Sequence, residues 1–254
     1  MARRRRGEDI TGVLLLDKPV DLSSNHALQR AKRAYNANKA GHTGTLDPFA
    51  TGLLVCCFGR ATKISTLMLE ADKSYRATLK LGSETDSGDL TGEVVLAAEL
   101  DGLDLGRTRV LEVLQQFTGE ISQVPPMHSA LKRDGKPLYE YARQGIVLER
   151  APRQVTIYSI ELVSLDTDSM VIDVACSKGT YIRTLAQDIG RALGCYAHLT
   201  ALRRLSIGDF ALADAVSLEQ LQRVAEADGS AALQSYLIPL EQVPVRWVPE
   251  KLLK

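Results

Sequence analysis

The stretch Gly41-His42-Thr43-Gly44-Thr45-Leu46-Asp47-Pro48-Phe49-Ala50-Thr51-Gly52-Leu53-Leu54 decides how the rest of the chain is read. Its glycines and its proline rule out a regular helix or a central strand over most of its length. It runs into Leu53-Leu54-Val55-Cys56-Cys57-Phe58, a short apolar run closed by Gly59 that reads as a buried strand. A loop seated on a rigid strand can hold one side chain in a cleft while its backbone N–H groups come close to a ligand. His42 and Asp47 are the loop's only ionisable groups. Taken alone, Asp47 before Pro48 reads most simply as an Asx-type turn residue.

Upstream of the loop, Val13–Leu16 reads as an apolar strand ended by Lys18-Pro19. Ser23 or Ser24 can cap a helix with Ala27, Leu28, Ala31 and Tyr35 on its inner side and Arg30, Lys32 and Arg33 on its outer side. Downstream, residues 61–70 read as a helix. Lys73 to Leu81 alternates, with Tyr75, Ala77, Leu79 and Leu81 on one face of a half-buried strand. Residues 83–92 are acidic and turn-rich and read as a solvated loop. Val110, Leu111, Leu114 and Phe117 form a helical stripe facing the core. Residues 122–150, with Pro125-Pro126 and Lys132-Arg133-Asp134-Gly135-Lys136, read as a mobile basic insertion ending in a short helix. Residues 155–165 and 170–176 read as paired strands. A helix over 180–193 is stopped by Gly194, a strand over 198–210 carries Arg203-Arg204, and Ser217 caps a last helix. Helices and strands mix without strict alternation, so the fold class is α+β around a largely antiparallel sheet.

Composition narrows the function. The 254 residues are 45% hydrophobic, enough for a sizeable core, and carry 31 basic and 31 acidic residues. That neutrality hides segregation. Residues 1–80 carry 14 Lys/Arg against 7 Asp/Glu, a balance of +7, and residues 81–120 carry 2 against 9, a balance of −7. A chain arranged in this way can offer a basic face to a polyanion while staying neutral overall. Cys56, Cys57, Cys176 and Cys195 show no Cys-x-x-Cys spacing and no accompanying His cluster, which argues against a zinc site or a disulfide framework and for a cytoplasmic protein. Arg3–Arg6 are followed by residues too polar for a signal peptide, and no apolar run is long enough to span a membrane.

The whole loop string closely resembles the catalytic motif of the TruB-like tRNA pseudouridine-55 synthases. Other stretches resemble the same family in the same order: Gly12-Val13-Leu14-Leu15-Leu16-Asp17-Lys18-Pro19, Lys73-Ser74-Tyr75-Arg76-Ala77, Ser177-Lys178-Gly179-Thr180-Tyr181-Ile182-Arg183-Thr184 and Leu202-Arg203-Arg204-Leu205. The resemblance implies the pseudouridine synthase fold, a twisted mixed sheet with flanking helices and residues 122–150 as a thumb over an RNA stem-loop. It implies an isomerase that converts uridine-55 in the T loop of tRNA to pseudouridine after flipping the base. No metal or other cofactor is called for, and the residues contain no Walker loop, dinucleotide fingerprint or metal-ligand cluster. Asp47 matches the family's catalytic aspartate and Arg183 the arginine that pairs with it. Tyr75 matches the tyrosine that stacks on the target base. Tyr181 and Leu202 are placed in the uracil pocket and His42 beside the flipped nucleotide, where stacking accounts for an imidazole better than proton transfer. Lys18-Pro19 is expected to support the loop. Arg60, Lys63, Lys132, Arg133, Arg203 and Arg204 are candidate phosphate contacts.

The expected organisation is a flexible basic arm over 1–9, a catalytic domain over 10–242 and, over 243–254, the stub of a missing or truncated carboxy-terminal PUA domain. The partner is the tRNA T stem-loop, and the chain is expected to act as a monomer. Two readings compete with a stand-alone enzyme. One is a non-catalytic RNA-binding or tRNA-folding module that uses the same cleft. The other is a guide-RNA-dependent relative, against which the long thumb and the absence of a basic carboxy-terminal extension speak.

Overall fold

The computed structural model describes residues 7–253. The chain forms two compact units, one built from the chain up to Ser74 and from Arg203 onward, the other from Tyr75–Leu202.

In the first unit, β1 (Gly12–Lys18), α1 (Ser24–Ala34), β2 (Ala40–His42), β3 (Thr51–Phe58) and the single-turn α2 (Ser65–Met68) follow one another. β1 and β3 are antiparallel, with Leu14 opposite Cys56 and Leu16 opposite Leu54. Both strands read as unbroken apolar runs because both faces are covered. Leu14, Leu16, Leu54, Cys56 and Phe58 pack on Ala27, Leu28, Ala31 and Tyr35 of α1. Val13, Leu15, Leu53, Val55 and Cys57 face Ile64, Met68, Ala71 and the late residues Leu240, Val243, Val248 and Leu252. Ser23 caps α1 by accepting the His26 N–H, as its spacing predicts.

The second unit begins along β4 (Lys73–Leu81), followed by β5 (Ser83–Thr85), β6 (Val94–Ala97), α3 (Arg107–Gln116), β7 (Gly119–Gln123), β8 (Lys132–Arg133), β9 (Lys136–Pro137), α4 (Leu138–Ala142), β10 (Arg153–Leu165), β11 (Ser169–Cys176) and α5 (Ile182–Leu193). Its strand order is β4-β11-β10-β7, with antiparallel pairing at β10–β11 and at β10–β7. α3 packs against α5 and β10. Gly194 ends α5 with φ 78°, the left-handed conformation expected of a glycine stop. β8 and β9 form a hairpin whose turn residues Asp134 and Gly135 have φ 52° and 78°, the geometry that Asp-Gly favours.

The chain returns to the first unit along β12 (Ala197–Ile207), then forms β13 (Phe210–Ala211), β14 (Val216–Ser217), α6 (Leu218–Asp228), β15 (Leu237–Ile238) and the short α7 (Glu250–Leu253). β1–β14 and β3–β12 are parallel and the remaining registered pairs antiparallel, so the architecture is the mixed α+β sheet with flanking helices that the sequence predicts.

Several expectations need correction. The helix over 61–70 is a 3-10 turn over Gly59–Lys63 followed by the single turn α2, because Gly59 enters with φ 53°. In α3 the inner stripe is Val110, Val113 and Leu114, while Leu111 is 43% exposed. The strand over 198–210 is two strands bent at Gly208, whose φ is 53°. Residues 83–92 are no solvated loop: Glu84, Thr85, Ser87 and Asp89 are buried. The basic arm expected over 1–9 lies outside the described residues as far as Arg6. Beyond it, Glu8 bonds through its N–H to Asn36 O at 2.6 Å.

Candidate active site

The loop carrying Asp47 joins β2 to β3, which pair antiparallel with His42 opposite Cys56. Leu46, Phe49 and Ala50 are buried around it, while Asp47 itself is half-buried. The Ala50 N–H bonds to Asp47 O at 3.1 Å and closes a turn over the Asp-Pro step. Ser24, at the start of α1, accepts the Leu46 N–H at 2.7 Å and donates to Leu46 O at 3.1 Å.

Two buried cations hold the loop's carbonyls. Lys18 is fully buried, and its Nζ donates to Pro19 O (2.9 Å), Leu22 O (2.6 Å) and Pro48 O (3.2 Å), so its three protons meet three carbonyls. Arg204 is 1% exposed, with Nε bonded to Leu53 O at 2.8 Å and Nη2 to Gly44 O at 3.3 Å. These acceptors lie near the two ends of the loop, so one guanidinium braces both. A buried arginine with these partners is no phosphate contact, which corrects that expectation for Arg204. Its neighbour Arg203 points the other way along the strand and makes a two-pronged bond to Asp17, Nη1–Oδ1 at 3.1 Å and Nη2–Oδ2 at 2.7 Å. Arg60, Lys63, Lys132 and Arg133 are exposed.

Electrostatics follow from this burial. Burial pulls the Lys18 ammonium down from 10.5 to about 8, against the opposing charges of Asp47 and Asp21 and with the help of Arg204. His42 lies below the ordinary histidine value, first through burial and then through the Arg204 charge, so its imidazole is neutral at pH 7. Its Nδ1 is buried without a hydrogen-bond partner.

In the second unit, Tyr75 is half-buried on the β4 face that buries Ala77, Leu79 and Leu81. Leu202 is buried on β12. Tyr181 caps α5, and its peptide is gripped by the buried amide of Gln123, which accepts the Tyr181 N–H at 3.1 Å and donates to Tyr181 O at 3.3 Å. Arg183, in the first turn of α5, is 6% exposed. Its Nη1 donates to Ser87 O at 2.8 Å and its Nη2 to His128 O at 2.7 Å, and Asp89 Oδ2 lies 3.7 Å from Nη1. Asp89 is itself fixed, since its Oδ1 accepts from Ser87 Oγ (2.9 Å), Thr91 N–H (2.9 Å) and Thr91 Oγ1 (2.6 Å). The first unit thus gathers His42 and Asp47 with Lys18, Ser24 and Arg204. The second orients Tyr181 and Arg183 through Gln123, His128, Ser87 and Asp89.

Those supporting groups escape a reading of the sequence. Asp89 sits in a run whose density of acids suggests solvent; the available signal is the Ser-x-Asp-x-Thr spacing, which lets both hydroxyls turn back onto one carboxylate. Among the described residues no group of His, Cys, Asp and Glu could hold a metal ion, and no helix is long and apolar enough to cross a membrane.

The fold is that of the pseudouridine synthases. Of solved structures, the chain is similar to one in a Cbf5-Nop10-Gar1 complex, with a TM-score of 0.71 and 28% identity over 94% of this chain and 62% of that one. It is also similar to a chain in an H/ACA RNP bound to a substrate RNA containing 2′-deoxyuridine, with a TM-score of 0.69 and 25% identity over 98% of this chain and 68% of that one. Residues 32–182 match the TruB family pseudouridylate synthase N-terminal domain, and residues 183–243 match the tRNA pseudouridylate synthase B C-terminal domain. The tRNA pseudouridine synthase B of Bordetella avium (strain 197N) is 65% identical over 97% of this chain and 98% of its own length. That of Dechloromonas aromatica (strain RCB) is 54% identical over 96% of this chain and 81% of its own length. The chain belongs to the TruB family of pseudouridylate synthases, and it is an isomerase.

Proposed function

We propose that this protein isomerises uridine-55 in the T loop of tRNA to pseudouridine, with Asp47 as the catalytic carboxylate. The observation that carries the reading is the loop itself: a half-buried aspartate whose neighbouring carbonyls are pinned by buried Lys18 and Arg204, in a chain 65% identical to a tRNA pseudouridine synthase B. In the reaction the C1′–N1 glycosidic bond breaks, the uracil turns and C5 bonds to C1′. The C5 proton is released and N1 takes one up, so atoms balance without an oxidant. Whether Asp47 attacks C1′ or removes a sugar proton, the acting form is the ionised carboxylate. Lys18 beside it favours that form.

Arg183 is the group we propose to pair with Asp47, with Tyr75 stacking on the uracil and Tyr181 and Leu202 lining its pocket. Neutral His42 suits packing against the flipped nucleotide better than proton transfer. Extruding the base costs a few kcal/mol, least in a loop whose bases are already unstacked. The enzyme acts in the cytoplasm, where a further role in tRNA folding is compatible with the same surface. Mapping pseudouridine in unmodified tRNA incubated with the protein is the test. One new residue, at position 55, is expected; modification elsewhere, or none, contradicts the proposal.

Lys18 gives the reaction a pH limit. Its folded-state value lies below the 10.5 of the unfolded chain, so the proton costs stability at neutral pH, and that cost fades as pH rises from about 8 toward 10.5. Activity should do the opposite. Above about 8 the amine has too few protons for three carbonyls and no charge to set beside Asp47. Single-turnover rate is expected to fall through that pH while the melting temperature does not. A parallel loss of both contradicts the assignment.

A further inference from the structure

β6 contributes no residue to the site described above. Among the described residues, Val94–Ala97 pairs on one side only, with β5, in a sheet of two strands. All four of its residues are exposed, Val94 at 60%, Val95 at 53% and Leu96 at 41%. The same segment exposes Leu90 at 50% and Leu103 at 37%. Natural edge strands are normally blunted by lysine, proline, a bulge or a covering element, because unpaired N–H and C=O groups beside apolar side chains recruit other strands. Here β6 carries one bulge, at Val95 opposite the Glu84–Thr85 step of β5, but no proline or lysine interrupts residues 90–103.

Charge indicates what covers this edge. Residues 81–106 contain no Lys or Arg, while Asp86, Glu93, Glu99, Asp101 and Asp104 are exposed. A phosphate backbone is repelled there, so the edge lies off the RNA-binding surface. A second copy fits poorly too: antiparallel pairing of β6 with itself would set Glu93 of one strand near Glu99 of the other, and like charges facing across a ladder destabilise it. We propose that β6 is a docking edge for an extended, lysine- or arginine-bearing segment of another protein, which adds a strand through main-chain bonds and reads the acids with its charges. This proposal is independent of the uridine chemistry.

A synthetic peptide of alternating Lys and Val is the probe, titrated into isotope-labelled full chain. Saturable amide shifts confined to Glu93–Glu99 and their flanks are expected. Weaker binding is expected from a Lys/Gly peptide, which lacks the apolar side chains, and none from a Glu/Val peptide. The doubly reversed variant Glu93→Lys with Glu99→Lys should bind the Lys/Val peptide about tenfold or more weakly and gain affinity for Glu/Val, because rim charges set partner choice. Its isomerase rate should be unchanged, which also shows that it folds. Equal binding of both peptides, indifference to the reversal, shifts scattered over the chain, or a dimer formed through β6 would each overturn the proposal.

Discussion

Asp47→Asn is expected to abolish tritium release from tRNA labelled at uridine C5, lowering the single-turnover rate by about 10³-fold or more while RNA affinity stays within about threefold. The amide is nearly isosteric, so the loop keeps its shape: Leu46 stays on Ser24, Pro48 O on Lys18, Gly44 O on Arg204. What is lost is the negative charge, which neither attack at C1′ nor proton removal can do without. A second readout accompanies the first. The Asp47 charge is the largest influence holding the Lys18 value up, so Lys18 in the variant should lose its proton below about 8. A variant turning over near the parent rate contradicts the assignment. One that also loses RNA binding shows a damaged loop instead, and Asp47→Glu then separates the two.

Gly52→Ala should be strongly damaging to the first unit. Gly52 has φ 99°, and a Cβ there would sit 2.4 Å from Arg204 O and 2.7 Å from Arg204 N. The obstacle is backbone of a paired strand, Arg204 being the register partner of Gly52, so no side chain can swing aside. Relief requires parting β3 from β12, which pulls the Arg204 guanidinium away from Leu53 O and Gly44 O and leaves those carbonyls without their cation. Strain and broken charged hydrogen bonds together amount to about 3–5 kcal/mol, or roughly 10 °C in melting temperature. Gly179→Ala is the control. Its φ of 79° is also left-handed, yet nothing lies within 4 Å of the added carbon, so about 1 kcal/mol is expected. Thermal unfolding of the two variants side by side measures the difference, and equal melting temperatures would remove the brace from the account.

Reading the sequence recovers the elements whose pattern is local. Val13–Leu16 and Leu53–Phe58 are continuous apolar runs because both faces of their strands are covered, and the Tyr75-Ala77-Leu79-Leu81 alternation matches a strand buried on one face. The α5 stripe Ile182, Leu185, Ile189 and Leu193 is buried and stopped by Gly194. What stays illegible depends on distant partners. Period two puts Arg203 and Arg204 on opposite faces but cannot say which is inside; the answer comes from carbonyls of Gly44 and Leu53, more than 100 residues earlier. Asp89 is hidden for the same reason, since its burial is set by Arg183 and local hydroxyls rather than by hydropathy. In α3, Leu111 and Val113 are equally apolar, and the face that meets the core is decided by tertiary packing.

The most direct test is a crystal structure of the protein with a T-arm stem-loop RNA. The account predicts the target uridine turned out of its loop onto Tyr75, an Asp47 carboxylate oxygen within about 3.5 Å of its C1′ or of the sugar proton to be removed, and Arg183 paired with that same carboxylate. A uridine still stacked in the loop, with Asp47 facing solvent and Arg183 paired with a different carboxylate, would contradict it.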